Sequence, residues 1–322
     1  MAHYDVFNGD ADGMCALHQL RLAEPRAAVR ITGLKRDIAL LQRVRAQPGD
    51  SVTALDISLD TNREAVMSLL RGGVTVLYFD HHGSGDIPRH PALEAHIDLA
   101  PTVCTGMIVD RYLGGRYRPW AVVAAFGDNF DRAARALAGS LALGAMQVDA
   151  LRDLGECLNY NAYGDIDSDP VIHPASLYTV LERFADPFQF MQSEPVFEQI
   201  RRARRHDLEL ACQLQPHTVL PGGCIHVLPD AAWSRRVRGE FANTLANRDP
   251  RRAHAVLTPN PHEGFTVSVR APLATRRGAR LLCEQFDTGG GRSAAAGITR
   301  LPRDRLPDFI GAFERAFPQT AS

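Results

Sequence analysis

Four short apolar runs each end on an acidic residue, and this repeated ending constrains the fold more than any other feature of the chain. Val6-Phe7 leads into Asn8-Gly9-Asp10-Ala11-Asp12-Gly13, and Val52-Thr53-Ala54-Leu55 leads into Asp56. Val74 to Phe79 leads into Asp80-His81-His82, and Ala121 to Gly127 leads into Asp128. Each run reads as a strand. Strand ends in a parallel sheet meet at one edge, where α/β proteins place their sites. Five carboxylates and two imidazoles gathered there are enough to hold two divalent metals.

The segments between these runs read as helices, at Gly13 to Ala23, Asp37 to Arg45, Asn62 to Leu70 and Thr105 to Leu113. Strand and helix alternating at this spacing predict βαβ units and a largely parallel sheet, an α/β fold. A chain of 322 residues exceeds most single cores, so two domains are expected. Residues 1–185 form the first, with a helical extension beyond residue 131. Residues 186–215, carrying Arg201-Arg202-Ala203-Arg204-Arg205, read as one long charged connecting helix. Residues 216–322 form a smaller α/β domain with strands near Cys224 to Leu228, Ala253 to Leu257 and Phe265 to Val269, closed by a helix near Asp308 to Ala316.

A net charge of −1 gives no global signal of polyanion binding. Lys35 is the only lysine; every other basic side chain is arginine. The six cysteines are scattered without a C-x-x-C pair, which excludes a zinc ribbon and a disulfide framework and suits a reducing compartment. No stretch approaches the roughly 20 apolar residues that span a bilayer. No basic-then-apolar leader opens the sequence, so a cytoplasmic protein without a membrane partner is expected.

Taken singly, the acidic groups have ordinary readings. Asp10 and Asp12 suit an N-capping turn, since aspartate favours such positions. Asp80-His81-His82 is harder to explain that way, because ionisable groups crowd the end of an otherwise apolar strand. As an ordered set, the four motifs resemble those of the DHH phosphoesterases, a superfamily of exonucleases, oligoribonucleases, cyclic-dinucleotide phosphodiesterases and family II pyrophosphatases. The resemblance implies two bound Mn²⁺ ions, with Mg²⁺ or Co²⁺ as substitutes. It places Asp10 on the first ion and Asp12 on the second, with Asp56 bridging. His81 and Asp128 would complete the second site, and His82 would face the substrate phosphate. Mixed carboxylate and imidazole ligands suit Mn²⁺ on chemical grounds as well. Where many members carry a histidine in the first motif, this chain has Asn8 or Val6; Asn8 would bind through its amide oxygen or orient a neighbour.

The C-terminal half resembles the substrate-binding domain that accompanies DHH domains, of the DHHA1 type. The matching residues are Ser268-Val269-Arg270 and Gly289-Gly290-Gly291-Arg292-Ser293. A glycine-rich turn lets backbone N–H groups approach phosphate oxygens, more so at a helix start. Arg292 stands where the family has histidine. No lysine follows the glycines, which excludes a Walker A loop. Asp165 to Asp169 opens like a calcium loop, but Pro170 and Ser176 occupy its sixth and twelfth positions. Asn159 to Gly164 reads first as a helix stop and second as a cleft wall. The resulting expectation is hydrolysis of short oligonucleotides by two-metal hydroxide attack, with His82 and Asp56 catalytic. A nucleotide phosphomonoesterase, a cyclic-dinucleotide phosphodiesterase and a nucleotide sensor stay open as alternatives. Oligomeric state, a homodimer included, is left open.

Overall fold

A computed structural model describes residues 1–318. Two compact units divide at Arg202/Ala203. The first contains β1 (His3–Phe7), α1 (Ala11–Ala23), β2 (Val29–Ile31), β3 (Ser51–Leu55), α2 (Leu59–Arg71), β4 (Thr75–Asp80) and β5 (Leu93–Ile97). It continues through α3 (Thr105–Tyr112), α4 (Arg118–Gly127), α5 (Asp131–Ala138), α6 (Ala145–Asn161), α7 (Pro174–Leu181) and α8 (Pro187–Ser193) into α9 (Pro195–Gln213), within which the division falls.

The first unit's sheet is parallel throughout, in the order β2-β1-β3-β4-β5. One core, built from Val6, Val52, Ala54, Val76 and Tyr78, packs against Leu59, Val66 and Leu70 of α2. Register positions the site. Phe7 pairs with Leu55, and Leu55 with Phe79, so Asn8, Asp56 and Asp80 leave the sheet side by side at its carboxyl edge. The backbone continues the ladder one step further: Asn8 N–H donates to Leu55 O at 3.2 Å and Asp56 N–H to Phe79 O at 3.0 Å.

Asp128 does not follow a strand. Its apolar run is α4, buried from Trp120 to Gly127 and packed against α1, α3 and α6. An apolar stretch buried on every side has no periodicity to separate helix from strand. Pro119 in the first turn and the alanines that follow favour the helix. The expected helix at 37–45 shrinks to a single 3₁₀ turn, Leu40–Arg43. The long connecting helix is two helices. Glu194 is extended (φ −103°, ψ 115°) because the residue before a proline is pushed out of the α region.

The second unit holds β6 (Thr218–Leu220), β7 (Gly223–Val227), α10 (Ala232–Arg248), β8 (Ala253–Pro259) and β9 (Gly264–Arg270). After these come α11 (Ala279–Cys283), β10 (Gly289–Gly291), β11 (Ala295–Pro302) and α12 (Leu306–Ala316). Its sheet is mixed, in the order β10-β11-β9-β8-β7-β6, and only β7 and β8 run parallel. Phe265, Val267 and Val269 of β9 face a core with Leu282, Phe309 and Phe313. The three glycines form an edge strand rather than a turn, pairing with Ile298, Gly297 and Ala296. No helix starts after them, so the helix-dipole contribution expected there is absent.

Candidate metal centre

Asp10 caps α1: its Oδ1 accepts from Asp12 N–H at 3.0 Å and Gly13 N–H at 3.1 Å. Its Oδ2 accepts from Lys35 Nζ at 2.5 Å. Asp12, in the first turn of α1, is fully buried and reaches the start of α3. There Thr105 N–H and Gly106 N–H donate to its two oxygens at 2.8 and 2.7 Å. These N–H groups offset part of the cost of charging it. Gly106 is required for this approach, because a Cβ there would lie 2.5 Å from Ala124 Cβ and 3.1 Å from Asp12 Oδ1.

Asp56 takes a left-handed backbone (φ 59°), a conformation aspartate tolerates better than most residues and one that marks functional sites when held by its surroundings. Thr105 Oγ1 donates to its Oδ1 at 3.1 Å. Asp128 ends α4. Asn129 behind it is left-handed (φ 66°), and the Asn129 and Phe130 N–H groups return to Phe126 O and Ala125 O. This Schellman closure fixes where the Asp128 carboxylate points.

His81 joins the groups. Its Nε2 lies 3.3 Å from Asp128 Oδ2, 3.5 Å from Asp56 Oδ1 and 3.8 Å from Asp12 Oδ2. These distances are long for hydrogen bonds but suit ligands of one shared ion. Asp12, His81 and Asp128 have donor atoms within 4.8 Å of one another, as do Asp56, His81 and His82. His82 is half exposed. Its ring lies 4.3 Å from that of His81, and its Nδ1 is 2.7 Å from Asp80 Oδ1. Asp80 Oδ2 is buried without a partner.

The buried carboxyls of this cluster differ in how readily they ionise. Burial, then the charges of Asp12, Asp10, Asp128 and Asp80, push the Asp56 carboxyl well above its usual range. Burial and Asp128 raise Asp12 as well. Burial would raise Asp10 too, but the adjacent Lys35 ammonium outweighs it and holds that carboxyl low. For His82, burial favours the neutral ring, yet the hydrogen bond to Asp80 prevails and raises its pKa. Charged together, the carboxylates around Asp56 and Asp12 repel one another, a repulsion that a proton or a bound cation would each relieve.

The expected first ion meets different chemistry. Asn8 and Asp10 follow β1 together, but Lys35 Nζ lies between Asp10 and Asp128, the latter brought in by the end of α4. Asn8 directs its amide N–H to Lys35 O at 3.2 Å and accepts from Asp10 N–H through Oδ1 at 3.2 Å. In the sequence Lys35 stands out only by its rarity. Asn159, left between helix stop and cleft wall, accepts from Lys35 Nζ at 2.9 Å and so lines the site. Asp165 and Asp169 do structural work instead: Asp165 pairs with Arg36, and Asp169 accepts from the N–H groups of Asp165 and Ile166.

In the second unit, Gly289, Gly290, Thr266, Ser268 and Arg238 line a groove of about 400 Å³. Gly289 and Gly291 have steric reasons to be glycine, since a Cβ would strike Cys283 O or Ala296; Gly290 faces open space. Arg270 bonds to Asn243 Oδ1 at 2.5 Å and to Gly239 O at 3.2 Å. Arg292 and Ser293 are exposed in the turn between β10 and β11, at some remove from the Gly289 end of the groove. Arg238, which donates to Thr258 Oγ1, is the basic lining residue that sequence reasoning missed. Arg201 and Arg202 pair with Glu198, and Arg204 with Glu240.

The parallel sheet, its acid-lined carboxyl edge and the mixed second sheet define a protein of the DHH/RecJ-like fold. Exonuclease RecJ bound to manganese is similar at 16% identity and a TM-score of 0.64, with 99% of this chain and 91% of that one covered. An exopolyphosphatase-related protein from Bacteroides fragilis is similar at 13% identity and a TM-score of 0.52, with 98% and 91% covered. CDC45 from Entamoeba histolytica is similar at 8% identity and a TM-score of 0.54, with 98% and 95% covered. RecJ from Thermus thermophilus has been crystallised with Mn²⁺ and with Mg²⁺; this chain spans about half of it, 51% in the Mn²⁺ structure. At these identities the likeness is one of fold. No family profile matches the chain, and no curated protein does. Among the described residues no helix is long and apolar enough to cross a membrane.

Proposed function

We propose that the chain is a divalent-metal-dependent phosphoesterase that hydrolyses short oligonucleotides, with Asp12, Asp56, His81 and Asp128 as the ion's ligands. The observation that carries this reading is the meeting of those side chains at the carboxyl edge of the parallel sheet. Mn²⁺ suits the mixed oxygen and nitrogen donors. When bound, such an ion supplies Lewis-acid charge and activates water for attack on phosphorus.

The chain's own groups supply the rest. Asp80 fixes His82 through Nδ1 and favours the protonated ring. His82 is thereby suited to bind the phosphate and to give a proton to the departing oxygen. Thr105 and the α3 N-terminus hold Asp56 and Asp12 in place, so no ligand reorganises during the reaction. By itself, the second unit's groove, with the open flank of Gly290 and with Arg238 and Ser268 in its lining, suits a phosphate group. A groove of about 400 Å³ accepts a nucleotide-sized group, and the charge of −1 argues against long strands held by many phosphate contacts.

The test is hydrolysis with added Mn²⁺ of a 5′-phosphorylated dinucleotide, a pentanucleotide, a 24-mer, a cyclic dinucleotide and a 3′,5′-bisphosphate nucleotide. The short linear members are expected to release mononucleotide fastest. Asp56→Asn, which tolerates the left-handed backbone, is expected to lower kcat by roughly 10²–10³-fold or more. Turnover confined to the bisphosphate or cyclic compound would replace the substrate assignment, and full activity in Asp56→Asn would overturn the ligand set.

A further inference from the structure

Lys35 is the group whose placement the metal-dependent reading does not use. It stands on the loop after β2, yet its Nζ meets three oxygens: Asp10 Oδ2 at 2.5 Å, Asn159 Oδ1 at 2.9 Å and Asp128 Oδ1 at 3.2 Å. An ammonium has three N–H donors and no acceptor, so these partners complete its hydrogen bonding. The Tyr163 ring lies 5.9 Å from the nitrogen.

The backbone of Lys35 is held as firmly as its tip. Its N–H donates to Ala162 O at 2.9 Å, and its carbonyl accepts from Asn8 Nδ2 at 3.2 Å. Two features with no settled role at the sequence level are thereby explained together. Asn8 binds the lysine's backbone, and the Asn159 to Ala162 segment at the end of α6 supplies one side-chain and one backbone acceptor.

The oxygens of Asp10 are correspondingly committed as acceptors, one to the start of α1 and the other to the ammonium. Neither group of converging donor atoms includes Asp10. A lysine head is a compact point charge, closer to a bound cation in shape than an arginine fork. This is also the one position in a chain rich in arginine where lysine occurs.

We propose that Lys35 takes the place of one of the two metal ions, so that the centre works with a single divalent ion and a fixed ammonium. The proposal rests on the phosphoesterase reading and refines its metal count. Lys35 acts as an electrostatic positioning residue. It neutralises Asp10 and one oxygen of Asp128, leaving Asp128 Oδ2 directed toward His81.

The test is Mn²⁺ titration of the full-length protein, with free ion counted by electron paramagnetic resonance. Wild type is expected to bind one ion per chain with an uncoupled Mn²⁺ spectrum. Lys35→Arg keeps the charge and is expected to bind one. Lys35→Ala with Asn8→His removes the ammonium and restores an imidazole; it is expected to bind two ions and show spin coupling. Circular dichroism verifies folding, and Lys35→Met with Asn8→His replaces the alanine variant if that one does not fold. Two ions in wild type, or one in both lysine-free variants, would overturn the lysine proposal and leave the phosphoesterase reading standing. No ion in wild type would overturn the metal-dependent reading itself.

Discussion

At the scale of single residues, the histidines divide by what surrounds them. His82 is held toward its charged form by Asp80, whereas His18 in α1 is driven toward neutrality. His18 is 1% exposed, with Nε2 2.7 Å from Phe184 O and Nδ1 buried without a partner. Burial lowers its pKa from 6.5 to about 4. Because the folded pKa is the lower one, the unfolded chain takes up the proton first as pH falls. The stability that this histidine contributes is therefore complete above pH 6.5 and lost between 6.5 and about 4. Denaturant unfolding of wild type should show up to about 3 kcal/mol of acid destabilisation that His18→Gln lacks. Parallel pH profiles for the two proteins would refute this account of His18. Residue identities at the site were legible in sequence where chemistry is unusual, as in Asp80-His81-His82. Lys35 and Asn159 were not, because they are 124 positions apart and only the folded chain brings them together.

At the scale of elements, termini do most of the positioning. Strand ends deliver Asn8, Asp56 and Asp80; the start of α1 delivers Asp10 and Asp12; the end of α4 delivers Asp128. The strand ends could be read from apolar runs stopped by polar residues. Among the elements that end at the site, the one before Asp128 was misread, since an all-round buried helix carries the same apolar run as a buried strand. Pro119 at its start and Asn129 just past its end were the local signals that separate the two. The junction of α3 with α1 and α4 depends on Gly106. Gly106→Ala should destabilise the protein by about 1–3 kcal/mol through overpacking, and should weaken Mn²⁺ binding by displacing Asp12. Unchanged melting and unchanged Mn²⁺ affinity would show that this close approach is dispensable.

At the scale of the whole molecule, the parallel sheet was legible because strand and helix alternate at regular spacing, and each domain carries its own core. The edge strands β2 and β5 went unread: Val29–Ile31 is only three residues long, whereas Leu93–Ile97 does carry the apolar–polar alternation of a half-buried strand. The glycine run was read as a turn because three glycines carry no side-chain pattern; its pairing with β11 is a property of the sheet. What the two units contribute differs in kind. The first gathers buried carboxyls whose neighbours oppose their ionisation, and the second offers a groove with an open glycine flank. The central claim is that a divalent ion sits among Asp12, Asp56, His81 and Asp128. It is tested most directly by anomalous diffraction from crystals grown with Mn²⁺. One strong peak is expected within ligand distance of His81 Nε2 and the Asp12, Asp56 and Asp128 carboxylates, with Lys35 still against Asp10. No peak there, or a peak only elsewhere on the molecule, would contradict it.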